Sequence, residues 1–184
     1  MKTRYLIAVL ALLLLISASG CVPPPEAPDL TPIPPPSTPS SPPPTPDLIL
    51  EIEAAVTEVI DGDTIKVSLG GIIYDVRYIG VDTPELNDKR PQFYALAQEA
   101  ARLNRQLVEG QNVRLEKDIS ETDHYGRLLR YVYVDETFVN AELVSHGLAR
   151  AKAYEPDTKY KGYFEELEAK AKEDRIGIWT LAGE

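Results

Sequence analysis

The alternation of apolar and polar positions first indicates three consecutive strands. β-branched residues are frequent between positions 52 and 60, Thr64–Leu69 alternates regularly, and a third apolar stretch runs from 72 to 81. The dipeptides Asp61-Gly62 and Gly70-Gly71 separate these stretches. Alternating segments joined by short glycine-containing turns are typical of antiparallel hairpins. The sequence therefore predicts a three-stranded meander.

A period of three to four residues replaces the alternation further along the chain. Apolar residues recur at this spacing from about 92 to 109 and from about 158 to 174, which predicts two amphipathic helices. A shorter helix is predicted at 138–146, because Gly147 follows an apolar stretch there. Residues 112–116 and 128–134 are predicted to form the fourth and fifth strands.

This order of elements does not fit a doubly wound parallel sheet. Five short antiparallel strands with a helix after the third fit a small closed barrel. We therefore predict an α+β fold, a five-stranded OB-type β-barrel with three helices, over residues 48–184. Barrels of this kind often bind oligonucleotides on an exposed face.

The first 21 residues have the pattern of an export signal. Two positive charges and eleven uninterrupted apolar residues lead to Ala18-Ser19-Gly20 and then to Cys21, the only cysteine. A membrane-spanning helix needs about 20 apolar residues, so this run is short for a permanent anchor. Small residues before a single cysteine resemble the lipobox of prokaryotic lipoproteins. We expect residues 1–21 to be such a signal, with lipidation at Cys21. An ordinary cleaved signal and an uncleaved anchor are the alternatives.

Residues 22–47 are predicted to form a disordered tether. They contain 13 of the 16 prolines of the chain, separated mostly by Ser, Thr and a few acidic residues. Such a composition cannot bury a core and favours extended polyproline II conformations. We therefore expect the folded domain to be secreted and held by this segment at the outer face of the cell membrane, in the cell envelope.

The predicted domain is acidic. Residues 48–184 contain 17 Lys and Arg against 26 Asp and Glu, a net charge of −9. Non-specific nucleic-acid binding rests on basic surface, so this composition argues against tight or processive binding of nucleic acid. It does not argue against a metal-dependent active site. The domain contains no cysteine, so no disulfide framework is expected.

Carboxylates cluster at the ends of the predicted strands. Asp61 and Asp63 bracket the first turn, and Asp82 and Glu85 follow the third strand. Oxygen ligands without His or Cys favour a hard cation, Ca²⁺ or Mg²⁺. Each motif alone also has a simpler explanation. Asp-Gly is a common hairpin turn, and the second motif is compatible with a strand exit followed by a helix cap.

Two arginines accompany these carboxylates. Arg77 interrupts an apolar and aromatic strand, where an inward charge is costly unless it is paired. Its simpler explanation is a salt bridge to Asp75 or Glu85, and that of Arg127 is solvation in a loop. Two guanidinium groups that face a metal ion would instead hold a phosphodiester.

The complete set of motifs, in this order, resembles the staphylococcal nuclease (thermonuclease) family over essentially all of residues 48–184. The motifs are Asp-Gly-Asp-Thr at 61–64, Val-Arg-x-x-Gly-Val-Asp-Thr-Pro-Glu at 76–85, Asp-x-Tyr-Gly-Arg at 123–127, the stretch at 139–149 and the closing Gly-Ile-Trp. The resemblance implies a Ca²⁺-dependent phosphodiesterase built on an OB-type barrel with three helices.

By this resemblance, the carboxylates and arginines have expected roles. Asp63, Asp82 and the backbone carbonyl of Thr83 are expected to bind Ca²⁺, with Asp61 in the outer coordination sphere. The catalytic residues are expected to be Arg77, Glu85 and Arg127. Glu85 would act as general base or orient the attacking water, and both alternatives remain open; the arginines would hold the scissile phosphate.

The resemblance also implies contacts with the substrate, for which we expect Tyr125, Lys89, Arg90 and Tyr154. Core packing is the alternative for Tyr154. The implied activity is hydrolysis of DNA and RNA with little sequence preference by a monomer, leaving 3′-phosphate ends. The main alternative is a catalytically inactive OB-fold module that binds nucleic acid or another polyanion at the cell surface. A structural envelope lipoprotein is a third reading, which leaves the site residues unexplained.

Overall fold

The computed structural model describes residues 51–181, which form eight strands, three α-helices and a terminal 3₁₀ helix. The strands are β1 (Glu51–Val59), β2 (Thr64–Leu69), β3 (Ile72–Tyr78), β4 (Val81–Asp82), β5 (Asn112–Glu116), β6 (Leu128–Val134), β7 (Thr137–Phe138) and β8 (Arg150–Ala151). The helices are α1 (Pro91–Val108), α2 (Val139–Ser145) and α3 (Lys161–Glu173), and the 3₁₀ helix is Gly177–Thr180.

Five of the strands close into a barrel. β1 pairs in antiparallel fashion with β2 and β5, β2 pairs with β3, and β5 pairs with β6. Parallel pairing of β3 with β6 then closes the circle. The predicted α+β fold, a five-stranded OB-type barrel with three helices, is confirmed. β2, β5 and β6 have the predicted bounds, and each helix begins and ends within a few residues of its predicted range.

The barrel interior is filled by branched aliphatic side chains. Ile65, Val67, Val76, Val113 and Leu115 have no exposed surface and belong to one continuous core cluster. Burial of such a side chain stabilises the fold by about 1.5–3 kcal/mol. A second part of the core is aromatic, where α3 contributes Phe164, with its ring centroid 6.2 Å from that of Tyr131. The helices therefore pack over the barrel without any disulfide.

The predicted third strand, 72–81, is interrupted in the structure. β3 ends at Tyr78, and Gly80 has a φ of +77°. A Cβ at this position would lie 2.6 Å from the Phe164 ring, so a glycine is required for both conformation and space. After this bend, β4 leaves the barrel and pairs with β8, which places Asp82 opposite Arg150. The bend therefore places Asp82, at the end of the three-stranded meander, next to the chain around residue 150.

The predicted signal at 1–21 and the tether at 22–47 lie outside the described residues. Within residues 51–181, no helix is long and apolar enough to cross a membrane.

Candidate active site

Asp63 is the buried centre of the site. Its backbone carbonyl accepts a hydrogen bond from the amide of Tyr78 at 2.9 Å, which holds the β1–β2 turn against the end of β3. Its carboxylate Oδ2 accepts from the amide and the hydroxyl of Thr83 at 2.8 and 2.9 Å. Only 3% of Asp63 is exposed. A buried carboxylate surrounded by donors is held in one orientation, so this turn and the residues after β4 form one rigid unit.

Arg77 lies between two carboxylates. Its Nη1 forms an ion pair with Asp63 Oδ1, and its Nη2 donates to Asp82 Oδ1 at 3.1 Å. Nη2 also donates to the carbonyl of Val81 at 3.2 Å. Burial lowers the pKa of Arg77 below its ordinary value, and Asp82 opposes this shift. The predicted simpler partners, Asp75 and Glu85, are therefore not the ion-pair partners, although the charge of Glu85 also raises the pKa of Arg77.

Asp61 is held beside this pair by buried polar contacts. Its Oδ1 accepts from the amide of Asp63 at 3.0 Å, and its carbonyl accepts from Asn104 Nδ2 at 2.9 Å. Asn104 is fully buried and in turn accepts from the hydroxyl of Tyr78 at 2.8 Å. Burial raises the pKa of Asp61 above its ordinary value, against a hydrogen bond with Thr64 and the charges of the site arginines. Helix α1, which carries Asn104, thus holds the β1–β2 turn in place.

Close packing also fixes this turn. A Cβ on Gly62 would lie 2.7 Å from the Thr83 side chain and 2.8 Å from Ala100 Cβ. A larger residue would therefore push the turn away from both neighbours. The Asp-Gly dipeptide here has a packing role that a simple solvated hairpin turn does not need.

Arg127 approaches the site from the loop before β6. Asp123 Oδ1 accepts from the amides of Tyr125 and Arg127 at 2.9 and 3.0 Å, and Asp123 Oδ2 accepts from Arg127 Nε at 2.7 Å. Burial alone would raise the pKa of Asp123, but these hydrogen bonds hold it below its ordinary value. Arg127 lowers the pKa of Arg77, so the two guanidinium groups repel each other across the site. Two such groups are suited to an anion between them.

The beginning of the Arg127 loop is tied to the segment before α3. Asp157, of which 6% is exposed, accepts from the amides of Ile119 and Ser120 at 3.0 and 2.7 Å. A carboxylate that accepts two backbone amides fixes loop geometry strongly. Asp157 therefore positions the chain that leads to Arg127.

The other predicted residues lie at the rim. Glu85 is exposed beside Asp82 and Thr83, in a recess of about 270 Å³. Tyr125 and Tyr154 are 73% and 63% exposed, so the alternative of core packing for Tyr154 is wrong. Lys89 is exposed on the loop after β4. Arg90 pairs with Asp88 at 2.6 Å and covers the Phe93 ring at 3.8 Å, so its charge is already partly neutralised.

A groove of about 490 Å³ lies beside Arg77 and Arg127. Its lining includes three cationic side chains and three carboxylates, together with His124 and Tyr154: Arg77, Arg127, Lys152, Asp123, Glu155 and Asp157. Three cationic side chains of an acidic domain therefore face one depression, and Arg127 is already paired with Asp123. Cationic groups that face a groove can hold an anionic chain although the molecule has a net negative charge.

The carboxylates at the site fit a hard divalent cation. Asp63 and Asp82 converge on the two ends of one guanidinium group, which shows that both can face a single cationic centre. Within the described residues, no group of three or more His, Cys, Asp or Glu side chains is arranged to hold a metal ion. Two carboxylates provide oxygen ligands of the kind that Ca²⁺ or Mg²⁺ takes, with water as the remaining ligands.

Sequence reasoning did not assign four residues that build the site: Asn104, Asp123, Lys152 and Asp157. Asp123 had a local signal, because an Asp that precedes a glycine-containing loop often accepts its backbone amides. No local pattern indicated Lys152, because its partner Asp82 is 70 positions away in the chain.

The fold and the groove define a class: OB-type barrels with two arginines in a groove beside a pair of carboxylates. The family model described as staphylococcal nuclease homologue matches residues 75–181, a range that contains Arg77, Asp82, Glu85 and Arg127. The chain belongs to this family.

Individual relatives agree with this membership. The chain is 40% identical over 134 residues to the SPbeta prophage-derived endonuclease YokF of Bacillus subtilis, covering 72% of this chain and 45% of that protein. It is 42% identical over 134 residues to the endonuclease YncB of the same organism, covering 72% and 64%. Identity to the thermonuclease of Staphylococcus hyicus is 40% over 125 residues, covering 68% and 74%. The chain thus spans less than two thirds of either Bacillus relative.

Proposed function

We propose that the protein is a Ca²⁺-dependent phosphodiesterase that hydrolyses DNA and RNA with little sequence preference and leaves 3′-phosphate ends. The observation that carries this proposal is the position of Arg77, which joins Asp63 to Asp82 and lines the same groove as Arg127. The names of the relatives, two endonucleases and a thermonuclease, support the reaction class. The calcium, the breadth of substrate and the product ends rest on the family resemblance.

The two arginines would stabilise the charge that develops during hydrolysis. Attack of water on the phosphodiester places negative charge on the equatorial oxygens of the phosphorus. Arg77 is fixed by buried ion pairs and Arg127 by Asp123, so both donors are oriented before the substrate arrives. Donors that need no reorganisation are the most effective stabilisers of a transition state.

Asp63, Asp82 and the Thr83 carbonyl would hold the cation, with Asp61 supporting the turn. A divalent cation bound there would supply Lewis-acid polarisation of the phosphate and positive charge near the attacking water. Glu85 would accept a proton from that water or orient it. The exposure of its carboxylate in the same recess as Asp82 and Thr83 supports either role.

The rim residues would guide the substrate. Exposed aromatic rings provide stacking surfaces for bases of a single strand, and neighbouring cations contact its phosphates. Tyr125 and Tyr154 are exposed in this way, and Lys89 and Arg90 lie on the loop after β4. The acidic remainder of the surface favours a modest affinity and rapid release of product.

The direct test is digestion of single-stranded DNA and of RNA by purified residues 48–184 with Ca²⁺, with Mg²⁺ and with a chelator. Cleavage that requires Ca²⁺ and leaves 3′-phosphate ends is expected. Products can be distinguished by whether a 3′-phosphatase is needed before polymerase extension. Binding of the oligonucleotide by a folded domain without cleavage under any metal would contradict the nuclease and support the inactive binding module.

Replacement of Glu85 by glutamine separates general-base catalysis from binding. The amide preserves size but cannot accept a proton, and general-base catalysis contributes typically about 10²–10⁴-fold to a rate. We expect kcat to fall by at least about 100-fold while the Kd for Ca²⁺ changes little. The exposed Glu99→Gln on α1 is the matched control. A near-normal kcat in Glu85→Gln would show that another group handles the water.

We also propose that the protein acts as a monomer anchored to the outer face of the cell membrane through lipid on Cys21. The proposal is supported by the short apolar run and the small residues before this cysteine. Cys21→Ser is expected to move the protein from the membrane fraction, which fractionation and mass spectrometry of the mature N-terminus would detect. Equal membrane retention of the variant would contradict lipidation.

A further inference from the structure

Lys152 lies at the junction of the groove and the carboxylate pair. Its backbone amide donates to the carbonyl of Gly80 at 2.8 Å, directly after the β4–β8 pairing. Its Nζ donates to Asp82 Oδ2 at 2.9 Å. The backbone contact fixes the Cα, and the long side chain is 45% exposed, so the ammonium group can change partner without moving the fold.

Asp82 is consequently shared between two cations. Oδ1 accepts from Arg77 and Oδ2 accepts from Lys152. A divalent cation that takes Asp82 as a ligand competes with both of these donors and repels the ammonium group at close range. Arg77 keeps its bond to the carbonyl of Val81 as a further partner. Lys152 is the more exposed of the two, so it is the donor that yields more readily.

Within the groove, the ammonium group of Lys152 also has the exposed ring of Tyr154 as a neighbour. Its Nζ is 5.7 Å from the centroid of the exposed Tyr154 ring, and both residues line the groove that contains Arg127. A lysine side chain with its ordinary pKa is a cation at neutral pH. A cation beside an exposed ring suits a single-stranded nucleic acid, whose phosphates pair with the cation and whose bases stack on the ring.

We propose that Lys152 is a substrate-binding residue that competes with the divalent cation for the carboxylate of Asp82. When the cation binds Asp82, the ammonium group of Lys152 contacts a phosphate of the nucleic acid instead. The proposal rests on the proposed function and deepens it, because it assigns a residue that couples metal binding to substrate binding. By linkage, the cation raises the affinity for the nucleic acid, and the nucleic acid raises the affinity for the cation by the same factor.

The test measures binding and catalysis separately in Lys152→Gln. Titration calorimetry with Ca²⁺ alone is expected to give a Kd lower than that of the unaltered protein by about two- to five-fold, the range for a partly exposed ion pair. Steady-state cleavage of a single-stranded oligodeoxynucleotide at saturating Ca²⁺ is expected to show a KM raised by about three- to tenfold with kcat nearly unchanged, the signature of lost uniform binding. Lys170→Gln, which removes an exposed lysine on the outer face of α3, should change neither value.

The outcomes distinguish this inference from the proposed function. Both outcomes assume that the unaltered protein is active. An unchanged Kd for Ca²⁺ in Lys152→Gln would then overturn the competition for Asp82. An unchanged KM would overturn the contact with the substrate. A protein that binds Ca²⁺ but cleaves nothing would contradict the nuclease instead. Even if the protein were inactive, a lower Kd for Ca²⁺ in Lys152→Gln would support the competition between Lys152 and the cation for Asp82. Thermal melts of both variants would verify that the fold is intact.

Discussion

Arg77→Ala is expected to reduce kcat by a factor of at least about 10²–10³ at saturating Ca²⁺, which is the typical loss for one charge-stabilising donor. The reason is that Arg77 pairs with two carboxylates and also lines the groove that contains Arg127. Alanine removes the donor and leaves space that water can fill. Water cannot replace a preoriented guanidinium group, because it must reorganise as the charge develops.

Two further variants make this measurement specific. Arg77→Lys keeps a positive charge but loses the planar fork that reaches Asp63 and Asp82 together, so most of the loss in kcat should remain. Arg105→Ala removes an exposed arginine on α1, whose salt bridge within the described residues is to Glu109 at 3.7 Å, and should leave kcat unchanged. Full activity in Arg77→Lys would mean that charge alone matters, and full activity in Arg77→Ala would exclude Arg77 from catalysis.

The same substitution should also lower stability. Asp63 is 3% exposed and loses its only cationic partner among the described residues when Arg77 is removed. Breaking a buried ion pair from one side typically costs about 3–5 kcal/mol, since the remaining charge is left in a poorly solvated place. Ca²⁺ would replace the missing positive charge. Calcium should therefore raise the Tm of Arg77→Ala by more than it raises that of the unaltered protein, which calorimetry can measure.

The barrel and the carboxylate pair were accessible to sequence reasoning for definite physical reasons. Strict alternation in Thr64–Leu69 and glycine-containing turns on both sides leave one register for the hairpins, and Thr64 indeed lies opposite Arg77. This register places Asp63 beside the end of β3. The convergence of the two motifs therefore follows from local pattern together with a family resemblance.

Contacts that depend on distant pairings were not accessible. The sequence suggested Asp75 or Glu85 as the simple partner of Arg77. The structure instead gives it Asp63, which the β2–β3 register places beside it, and Asp82, which follows the bend at Gly80. The same bend brings Lys152 to Asp82. A single residue with positive φ thus decides which charges meet, and apolar periodicity does not report it.

Asp63→Asn is expected to weaken the Kd for Ca²⁺ by more than about 100-fold and to reduce cleavage to near background. Loss of an outer partner of a metal site already costs about 10–100-fold, and Asp63 would be a direct ligand. The substitution also changes hydrogen bonding. The carboxylate accepts from Thr83 twice and from Arg77, whereas an amide presents one acceptor and one donor group to those three donors. A decrease in stability of about 1–3 kcal/mol should accompany the loss of metal.

The matched control for Asp63→Asn is Asp75→Asn, an exposed position on β3 that makes the same chemical change away from the site. It should leave the Kd for Ca²⁺, kcat and Tm unchanged. Circular dichroism at the assay temperature would establish that Asp63→Asn is folded, so that its loss of Ca²⁺ binding is a local effect. A folded Asp63→Asn variant that binds Ca²⁺ with the original Kd would place the metal elsewhere. The convergence of Asp63 and Asp82 on Arg77 would then be a structural ion-pair network, and the cleavage chemistry would have to be assigned to other groups in the groove.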